Sequence, residues 1–382
     1  MSSAVRLPKG FRGAGGAAGI KASGRSDLAL IFGEVGLSWA LASTTNTLKA
    51  PFVLRNAQRY EEGAEVRAVA VNSGNANCAA QGDVAANEAF VAAVAKQLGI
   101  SSEEVLTLST GVIGHALPVD KIEAALPNLE LSKEALPIAA AILTTDLVTK
   151  ISEVELEGGA RVVGIAKGSG MIHPNMATML AFVLTDADVS QDLLREMWSD
   201  IINQSFNQVS VDGDTSPNDT ALVLSSQQTP ADEGEVQGAL LNVCQDLATQ
   251  VARDGEGATK LITVQVTGAK DEAAARRAAR AVVLSPLVKA AAHGNDPNWG
   301  RILSSVGATG VALDLSKLSI HLQNVEVYCG GARAFDAAEV SKQMNAPDLS
   351  IEVDLGVGTA VGTAWGCDLS ADYVRINADY HT

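Results

Sequence analysis

The sequence predicts a mixed α/β protein in which layers of helix pack on several segments of sheet. Short runs rich in β-branched residues alternate with amphipathic runs of helical period along the 382 residues. Hydrophobic residues make up 47% of the chain and charged residues 19%, the balance of a chain that folds around a core. The connections between these runs vary too much for a regular βαβ series, so a doubly wound nucleotide-binding fold is not favoured.

The first half of the chain contains two predicted strands and two predicted helices. Residues 67–74 and 105–111 are apolar β-rich runs that end in turn formers, which is typical of strands. Residues 83–98 form a predicted helix with a glycine placed to terminate it. The clearest helix covers residues 190–202, where apolar side chains repeat at helical spacing behind Ser190 as the N-cap residue.

The same reading predicts further strands and helices toward the carboxyl end. The chain shows no internal repeat and no long linker. The predicted strands cover residues 178–184, 219–226, 260–268, 318–328 and 349–356, and the predicted helices cover residues 235–252 and 271–291.

Charge and composition exclude several classes of protein. A formal net charge of −16 with no compensating basic block disfavours binding to nucleic acid or to anionic membranes. No uncharged apolar run approaches 18 residues, and the amino terminus lacks the apolar core of a signal peptide. The four cysteines are scattered without a CxxC pair, which predicts reduced thiols, with Cys244 on the apolar face of a helix. We therefore expect a cytoplasmic protein.

Common ligand-binding motifs are absent from this chain or lack residues that they require. Residues 211–219 resemble a calcium loop, but Pro217 stands where that loop requires glycine and Val223 where it requires a bidentate glutamate. No dinucleotide fingerprint, phosphate-binding loop or GxSxG elbow is present. The histidines show neither HExxH nor any pair at ligand spacing, and His321 lies within a strand pattern. We therefore expect no metal and no bound cofactor.

Thr178 stands where a loop rich in glycine turns into an apolar strand. Threonine is β-branched and suits strands, so these residues alone favour an ordinary structural threonine. The alternative is a nucleophile, with His173 in the preceding loop compatible with either reading. If the chain were cut before Thr178, its α-amine, with a pKa near 7.7 to 8.0, could act as the base. The small Ala177 and Thr178 permit such self-cleavage without establishing it.

Six stretches of the chain together resemble a known enzyme family. From about residue 10 to the carboxyl end, the chain is similar to the ornithine acetyltransferases, also called glutamate N-acetyltransferases. The stretches are GFRGAGGAAGIKASGRSDLAL (10–30), NSGNAN (72–77), GMIHPNMATML (170–180), VDGDTSPNDT (211–220), HGNDPNWGRIL (293–303) and TAWGCDLSADYVRINADY (363–380).

The resemblance implies a fold and a processing step. The fold would be a layered helix/sheet/sheet/helix core of the self-cleaving type, with a smaller C-terminal lobe. The precursor would cleave itself between Ala177 and Thr178, giving an α fragment of residues 1–177 and a β fragment of residues 178–382. Both fragments together would form one catalytic unit, assembled as a heterotetramer of two copies of each fragment or as a larger oligomer.

The resemblance also implies an activity in arginine biosynthesis. The enzyme would move the acetyl group of N2-acetyl-L-ornithine to L-glutamate by a ping-pong mechanism through an acetyl-Thr178 ester, which recycles the acetyl group. Some members of the family also accept acetyl-CoA as the donor, and some serve specialised antibiotic pathways. No other cofactor is implied.

Roles for individual residues follow from the positions that match the family. Thr178 would be the nucleophile, and Thr110 with Gly111 would form the oxyanion hole. Without the resemblance, each position has an ordinary explanation as a turn, a solvated side chain or a terminal tail. The substrate-binding residues that the resemblance implies are Thr144 or Thr145, Lys167, Thr178, Glu256, Asn377 and Thr382.

Two other classes of protein stay open beside the transferase. An amidase or aminopeptidase of the related self-cleaving fold would use serine at the cut and water as the acceptor. A non-catalytic binder of acetylated amino acids would have a damaged nucleophile or oxyanion hole, and neither is visible in the sequence. The HGNDPNWGR stretch is given no catalytic role, because packing or loop geometry is an adequate account of it.

Overall fold

The computed structural model describes residues 5–173 and 179–379, and within them the chain is a mixed α/β protein with two sheets flanked by helices. The predicted fold class is confirmed. The strands are β1 (Phe11–Gly16), β2 (Leu28–Ser43), β3 (Val66–Asn75), β4 (Val105–Val112), β5 (Lys150–Glu155), β6 (Arg161–Lys167), β7 (Leu180–Ala187), β8 (Val209–Ser210), β9 (Thr220–Thr229), β10 (Leu261–Ala269), β11 (Ser319–Leu322), β12 (Val325–Cys329), β13 (Asp348–Asp354) and β14 (Ala360–Cys367). The helices are α1 (Pro51–Glu61), α2 (Asp83–Leu98), α3 (Val119–Ala125), α4 (Leu136–Ile142), α5 (Gln191–Asn203), α6 (Glu233–Arg253), α7 (Glu272–Leu284), α8 (Pro286–His293), α9 (Trp299–Gly307), α10 (Ala337–Gln343) and α11 (Ala371–Asp379).

The larger sheet has eight strands and is covered by helices on both faces. Its strand order is β4-β3-β2-β9-β7-β6-β5, with β1 paired to the first half of β2. Side chains alternate between the faces: Val183 and Val223 pack toward α5 and α6, while Phe182 and Leu224 belong to the cluster that contains α1 and α4. Every residue of β7 is buried for this reason.

The smaller sheet has six strands in the order β12-β11-β13-β10-β14-β8. Helices α7, α8 and α9 bury one of its faces, where Val264 and Ile351 pack against Val282. The other face is open, since Gln265 and Glu352 are exposed. Trp365, near the end of β14, packs in the same core as α6, so the two sheets share part of one core.

Several local predictions are confirmed. The Ser190 hydroxyl accepts a hydrogen bond from Leu193 N at 3.3 Å and caps α5. Gly99 ends α2 with φ +68°, a left-handed conformation that glycine adopts without strain. Cys244 is fully buried, and all four cysteines are free thiols. Within the described ranges, no helix has the length and apolar character needed to cross a membrane.

The predicted strand at residues 318–328 is wrong as a single element. The structure has a hairpin of β11 and β12, turned at Gln323 and Asn324 with φ +49° and +66°. Two consecutive left-handed residues form the tight turn that suits the twist of a hairpin, and asparagine tolerates this conformation. His321 lies in β11, as the strand pattern indicated.

The predicted helix at residues 271–291 is two helices. Helix α7 ends at Leu284, and α8 begins at Pro286 after an extended Ser285 with ψ 115°. Proline disfavours helical backbone in the residue before it and has no N–H to continue the ladder, so the helix breaks there. The predicted strand at 178–184 is β7, which the structure begins at Leu180, and Thr178 lies outside the described residues.

Candidate active site

One cleft gathers the predicted site residues that the structure describes. It contains about 600 Å³ of empty space and opens where β4 and β6 end. Of the predicted residues, Ala177, Thr178 and Thr382 lie outside the described ranges. The cleft is lined by Ala76, Thr110, Gly111, Ile113, Thr144, Thr145, Lys167, Gly170, Met171, Ser216, Asn218, Glu256 and Asn377.

The backbone at Gly111 makes a close approach that only glycine permits. Its φ is +133°, and a Cβ there would lie 2.4 Å from the carbonyl carbon of Gly74. Strands β3 and β4 run parallel up to this point, where Asn75 pairs irregularly with both Thr110 and Val112. The Thr110–Gly111 unit therefore stands at the strand end with its backbone fixed against β3.

Buried amides hold this strand end in place. Asn72 donates to the carbonyl of Asn75 at 2.8 Å, and the Ser109 hydroxyl donates to Asn72 Oδ1 at 2.6 Å. From the other side, Asn218 Nδ2 donates to the carbonyls of Ala76 at 2.6 Å and Ser109 at 2.8 Å. The NSGNAN and VDGDTSPNDT stretches thus meet at the end of β4 and position Thr110.

Lys167 projects from the end of β6 into the cleft with only 4% of its surface exposed. Its Nζ donates to the Thr110 hydroxyl oxygen at 3.2 Å. Burial lowers the pKa of Lys167, and the carboxylate of Asp146 opposes that shift. The cation and the hydroxyl are therefore coupled in a site that excludes most water.

A buried network of two carboxylates and one lysine lies behind the cleft. Lys150 Nζ, fully buried, donates to Asp146 Oδ1 at 2.7 Å and to Asp254 Oδ2 at 2.6 Å. Asp146 also accepts from Gly168 N at 2.6 Å. Burial alone would raise the pKa of Asp146, but Lys167 and Lys150 hold it at about 2. This network joins the 144–150 segment, the end of β6 and the end of α6.

Glu256 and Asn377 meet across the opposite wall of the cleft. Asn377 Nδ2, on α11, donates to Glu256 Oε2 at 2.8 Å. Glu256 is 9% exposed, and its N–H donates to the carbonyl of Ser169 at 3.0 Å. A Cβ at Gly170 would lie 2.4 Å from the Glu256 carboxylate, so glycine is required for this carboxylate to approach the 168–172 loop.

Thr144 and Thr145 both line the cleft, so both remain candidate substrate contacts. Thr144 N donates to Asp146 Oδ2 at 3.0 Å, which ties this loop to the buried network. For Thr145, no side-chain hydrogen bond is found within residues 5–173 and 179–379.

Strand pairing and hydrogen bonds hold the described residues on either side of 174–178 in place. Leu180 pairs with Lys167 across β6 and β7, and Thr220 N donates to the Met179 carbonyl at 3.1 Å. On the other side, Asp212 accepts from Met171 N at 2.6 Å and from Ile172 N at 2.8 Å. Met171 lines the cleft, and Leu180 is paired with the cleft residue Lys167.

Sequence reasoning missed the residues that support the site. Asp146, Lys150 and Asp254 form a network that spans more than a hundred positions of the chain, and no local sequence pattern predicts it. Lys21 is a second example, because burial lowers its pKa to about 8 and Lys167 is among the charges that act on it. Over the described ranges, no group of three or more His, Cys, Asp or Glu side chains is arranged to hold a metal ion.

Comparisons with known proteins agree on one family. The model of the ArgJ family matches residues 12–382. The arginine biosynthesis bifunctional protein ArgJ of Deinococcus radiodurans is 50% identical, covering 99% of this chain and 98% of its own length. The ArgJ protein of Thermus thermophilus is also 50% identical, over 99% of this chain and all of its own. The crystal structure of ArgJ from Bacillus halodurans is 41% identical with a TM-score of 0.52, covering 53% of this chain and 100% of the solved chain.

Proposed function

The chain belongs to the ArgJ family, and from this membership we propose that it transfers acetyl from N2-acetylornithine to glutamate through an ester on Thr178. The expectation of an acyltransferase of arginine biosynthesis is confirmed by the membership. The ping-pong order, the acetyl-threonine ester and the self-cleavage are the proposal.

The observation that best supports the proposal is the single cleft that unites seven residues assigned to the site from sequence. These residues come from positions between 110 and 377 and from β4, β6 and α11. Among the described residues that line the cleft, Lys167 is the cation and Glu256 the carboxylate. That pair is complementary to the carboxylate and ammonium of an ornithine or glutamate zwitterion.

Self-cleavage is the first step we propose. The Thr178 hydroxyl would attack the carbonyl of Ala177, and hydrolysis of the resulting ester would free the Thr178 α-amine. Residues 178–382 make up about 54% of the chain. The solved Bacillus halodurans chain is matched in full yet covers 53% of this chain, which is the length expected of such a fragment.

In the transfer itself, the α-amine of Thr178 would take the hydroxyl proton as the oxygen attacks the acetyl carbonyl. The developing oxyanion would be held by the Thr110 hydroxyl and the Gly111 N–H. Because Lys167 donates to the Thr110 oxygen, the hydroxyl hydrogen of Thr110 is directed elsewhere and can face the oxyanion. Ornithine would leave with the proton, and glutamate would then take the acetyl group by the reverse steps.

Isotope exchange tests this proposal. Labelled ornithine should enter N2-acetylornithine in the absence of glutamate, because a ping-pong enzyme completes the first half-reaction alone. Addition of glutamate should yield N-acetylglutamate. Acetate release without exchange would instead favour the amidase alternative, and neither product would favour the non-catalytic binder. We also propose that the fragments assemble as a heterotetramer or larger, which light scattering of the purified protein tests.

A further inference from the structure

A second cleft, here called the arginine cleft, is lined by three arginines of one face of α7: Arg276, Arg277 and Arg280. It contains about 1060 Å³ of empty space, and among its described lining residues none is a carboxylate. The chain as a whole has a net charge of −16. Three arginines around one cleft therefore concentrate positive potential in an otherwise acidic molecule, which favours an anionic occupant.

The guanidinium of Arg280 is the least compensated of these charges. Its Nε is buried and has no hydrogen-bond partner in the part of the chain that the structure describes. Within the same ranges, neither Arg280 nor Arg277 forms an ion pair, whereas Arg276 contacts Glu272 at 2.8 Å. A buried cation without an anionic partner is costly, and an anion in the cleft would offset that cost.

Gln208 adds an unpartnered acceptor to the arginine cleft. It is 6% exposed, and its Nε2 donates to the carbonyl of Asn203 at 2.8 Å. Its Oε1 is buried with no donor among residues 5–173 and 179–379, and a buried acceptor left unpaired also costs free energy. An occupant that satisfies the cleft therefore carries anionic oxygens for the arginines and an N–H or O–H group for Gln208.

His173 brings the arginine cleft next to the segment in which we propose the chain to be cut. It lines the cleft, and Arg280 Nη2 donates to its Nε2 at 3.0 Å. Because a guanidinium can only donate, Nε2 is an acceptor and the imidazole is neutral, so the charge of Arg280 is not cancelled. Ala177 is four residues further along the chain and lies outside the described residues. Four residues of extended chain span at most about 14 Å, so a carboxylate at Ala177 can reach the arginines from His173.

We propose that the arginine cleft binds the carboxyl terminus that self-cleavage creates at Ala177, and so holds the end of the α fragment away from the first cleft. This inference rests on the proposed function, since that carboxylate exists only after the chain is cut. A peptide carboxyl terminus carries a carboxylate for the arginines and a neighbouring backbone N–H for Gln208 Oε1. Arginine binds carboxylates through two parallel N–H groups, which suits three arginines on one helix face.

Such a binding place has a consequence for the first cleft. Leu180, two residues after Thr178, pairs with Lys167 across β6 and β7, so a carboxylate formed at Ala177 would arise close to this buried cation. Lys167 is also the cation that we propose to bind a substrate carboxylate. A new chain end left beside it would compete with substrate, and the arginine cleft gives that end another cationic partner.

Digestion with a carboxypeptidase tests the proposal on the full, self-cleaved protein. A bound chain end resists the enzyme, so intact mass over time should show slow loss of Ala177 and Met176 from the α fragment. In the double variant Arg276→Gln/Arg277→Gln this loss should be at least tenfold faster. The matched control is Arg333→Gln, an exposed arginine of the smaller sheet that pairs with Glu326, and it should leave the rate unchanged. Equal rates in the double variant and the unchanged protein would overturn the proposal.

Two further readouts separate binding of the chain end from other effects. The variant Arg276→Lys/Arg277→Lys keeps both cations and should stay within threefold of the unchanged protein, whereas a tenfold acceleration there too would overturn the proposal. Removal of Thr382 from the β fragment in the same sample is the internal reference, and its acceleration in the glutamine variant would mean a loosened fold and would also overturn it. A chain that is never cut would overturn the proposed function and this inference together, while a cut chain with an unprotected Ala177 would overturn this inference alone.

Discussion

Lys167 Nζ donates a hydrogen bond to Thr110 Oγ1 across 3.2 Å, at the point where β6 and β4 end in the same cleft. The two residues are 57 positions apart in sequence, yet the contact determines which way the threonine hydroxyl can donate. A cation that donates to a hydroxyl oxygen also strengthens that hydroxyl as a donor. In the proposed mechanism, Lys167 therefore positions the Thr110 hydroxyl, the proposed oxyanion donor, and is also a candidate to bind a substrate carboxylate.

Replacement of Lys167 by methionine tests this relationship. Lys167→Met should lower kcat for acetyl transfer by about 10² to 10³, the loss typical of one oxyanion donor. Steady-state kinetics with both substrates measure it, with the exposed Lys342→Met as the control for charge removal. If only KM rises and kcat stays within threefold, Lys167 binds substrate without supporting Thr110.

The position of the Glu256 carboxylate depends on the absence of a side chain at Gly170. Gly170→Ala would place a Cβ 2.4 Å from that carboxylate, and the flexible carboxylate would have to move away. Losing one charged hydrogen bond to substrate costs about 1.5 to 3 kcal/mol, so KM for N2-acetylornithine should rise at least tenfold. Gly238→Ala, in α6 with open space around it, is the control and should leave KM unchanged. An unchanged KM for Gly170→Ala would mean that Glu256 does not contact substrate.

Lys150 forms salt bridges with two buried carboxylates at once. Lys150→Met would remove the cation that Asp146 and Asp254 share, so the free energy of unfolding should fall by about 3 to 5 kcal/mol. Urea unfolding measures the change. Addition of Asp146→Asn and Asp254→Asn to the variant should recover part of the loss, because the unpaired charges are then removed. No recovery would show that the loss comes from packing and not from charge.

His173 makes stability depend on pH in the mildly acidic range. Burial and then Arg280 lower the pKa of His173 to about 4, below its ordinary value near 6.5. The unfolded chain therefore binds more protons at this residue between pH 6.5 and 4, and stability falls as pH drops through that window. His173→Gln should flatten this slope in thermal melts recorded from pH 7 to pH 4.5. An identical slope in both proteins would mean that other groups cause it.

Local signals predicted the elements of this fold well and long-range contacts poorly. Ser190 caps a helix with its own side chain, and Gly99 ends one through its own backbone conformation. A window of a few residues therefore suffices to predict these helix ends. The 318–328 hairpin was missed because Gln323 and Asn324 lack the glycine that usually signals a two-residue turn. The break at Pro286 was missed because the apolar period continues through it.

The candidate site was accessible from sequence only through the family resemblance. Thr110 and Lys167 are ordinary residues of strand ends, and their contact is a property of the sheet order. The Asp146–Lys150–Asp254 network was not predicted, because it joins segments that no periodic pattern connects. Asn377 was assigned from the family, and the structure adds its bond to Glu256.

The central claim is that Thr178 is freed by self-cleavage and then holds the acetyl group. Intact mass should be measured on the purified protein before and after incubation with N2-acetylornithine. The account predicts two fragments, residues 1–177 and 178–382, with one acetyl group added to the second and removed again by glutamate. A single uncut mass with no acetyl adduct would contradict it.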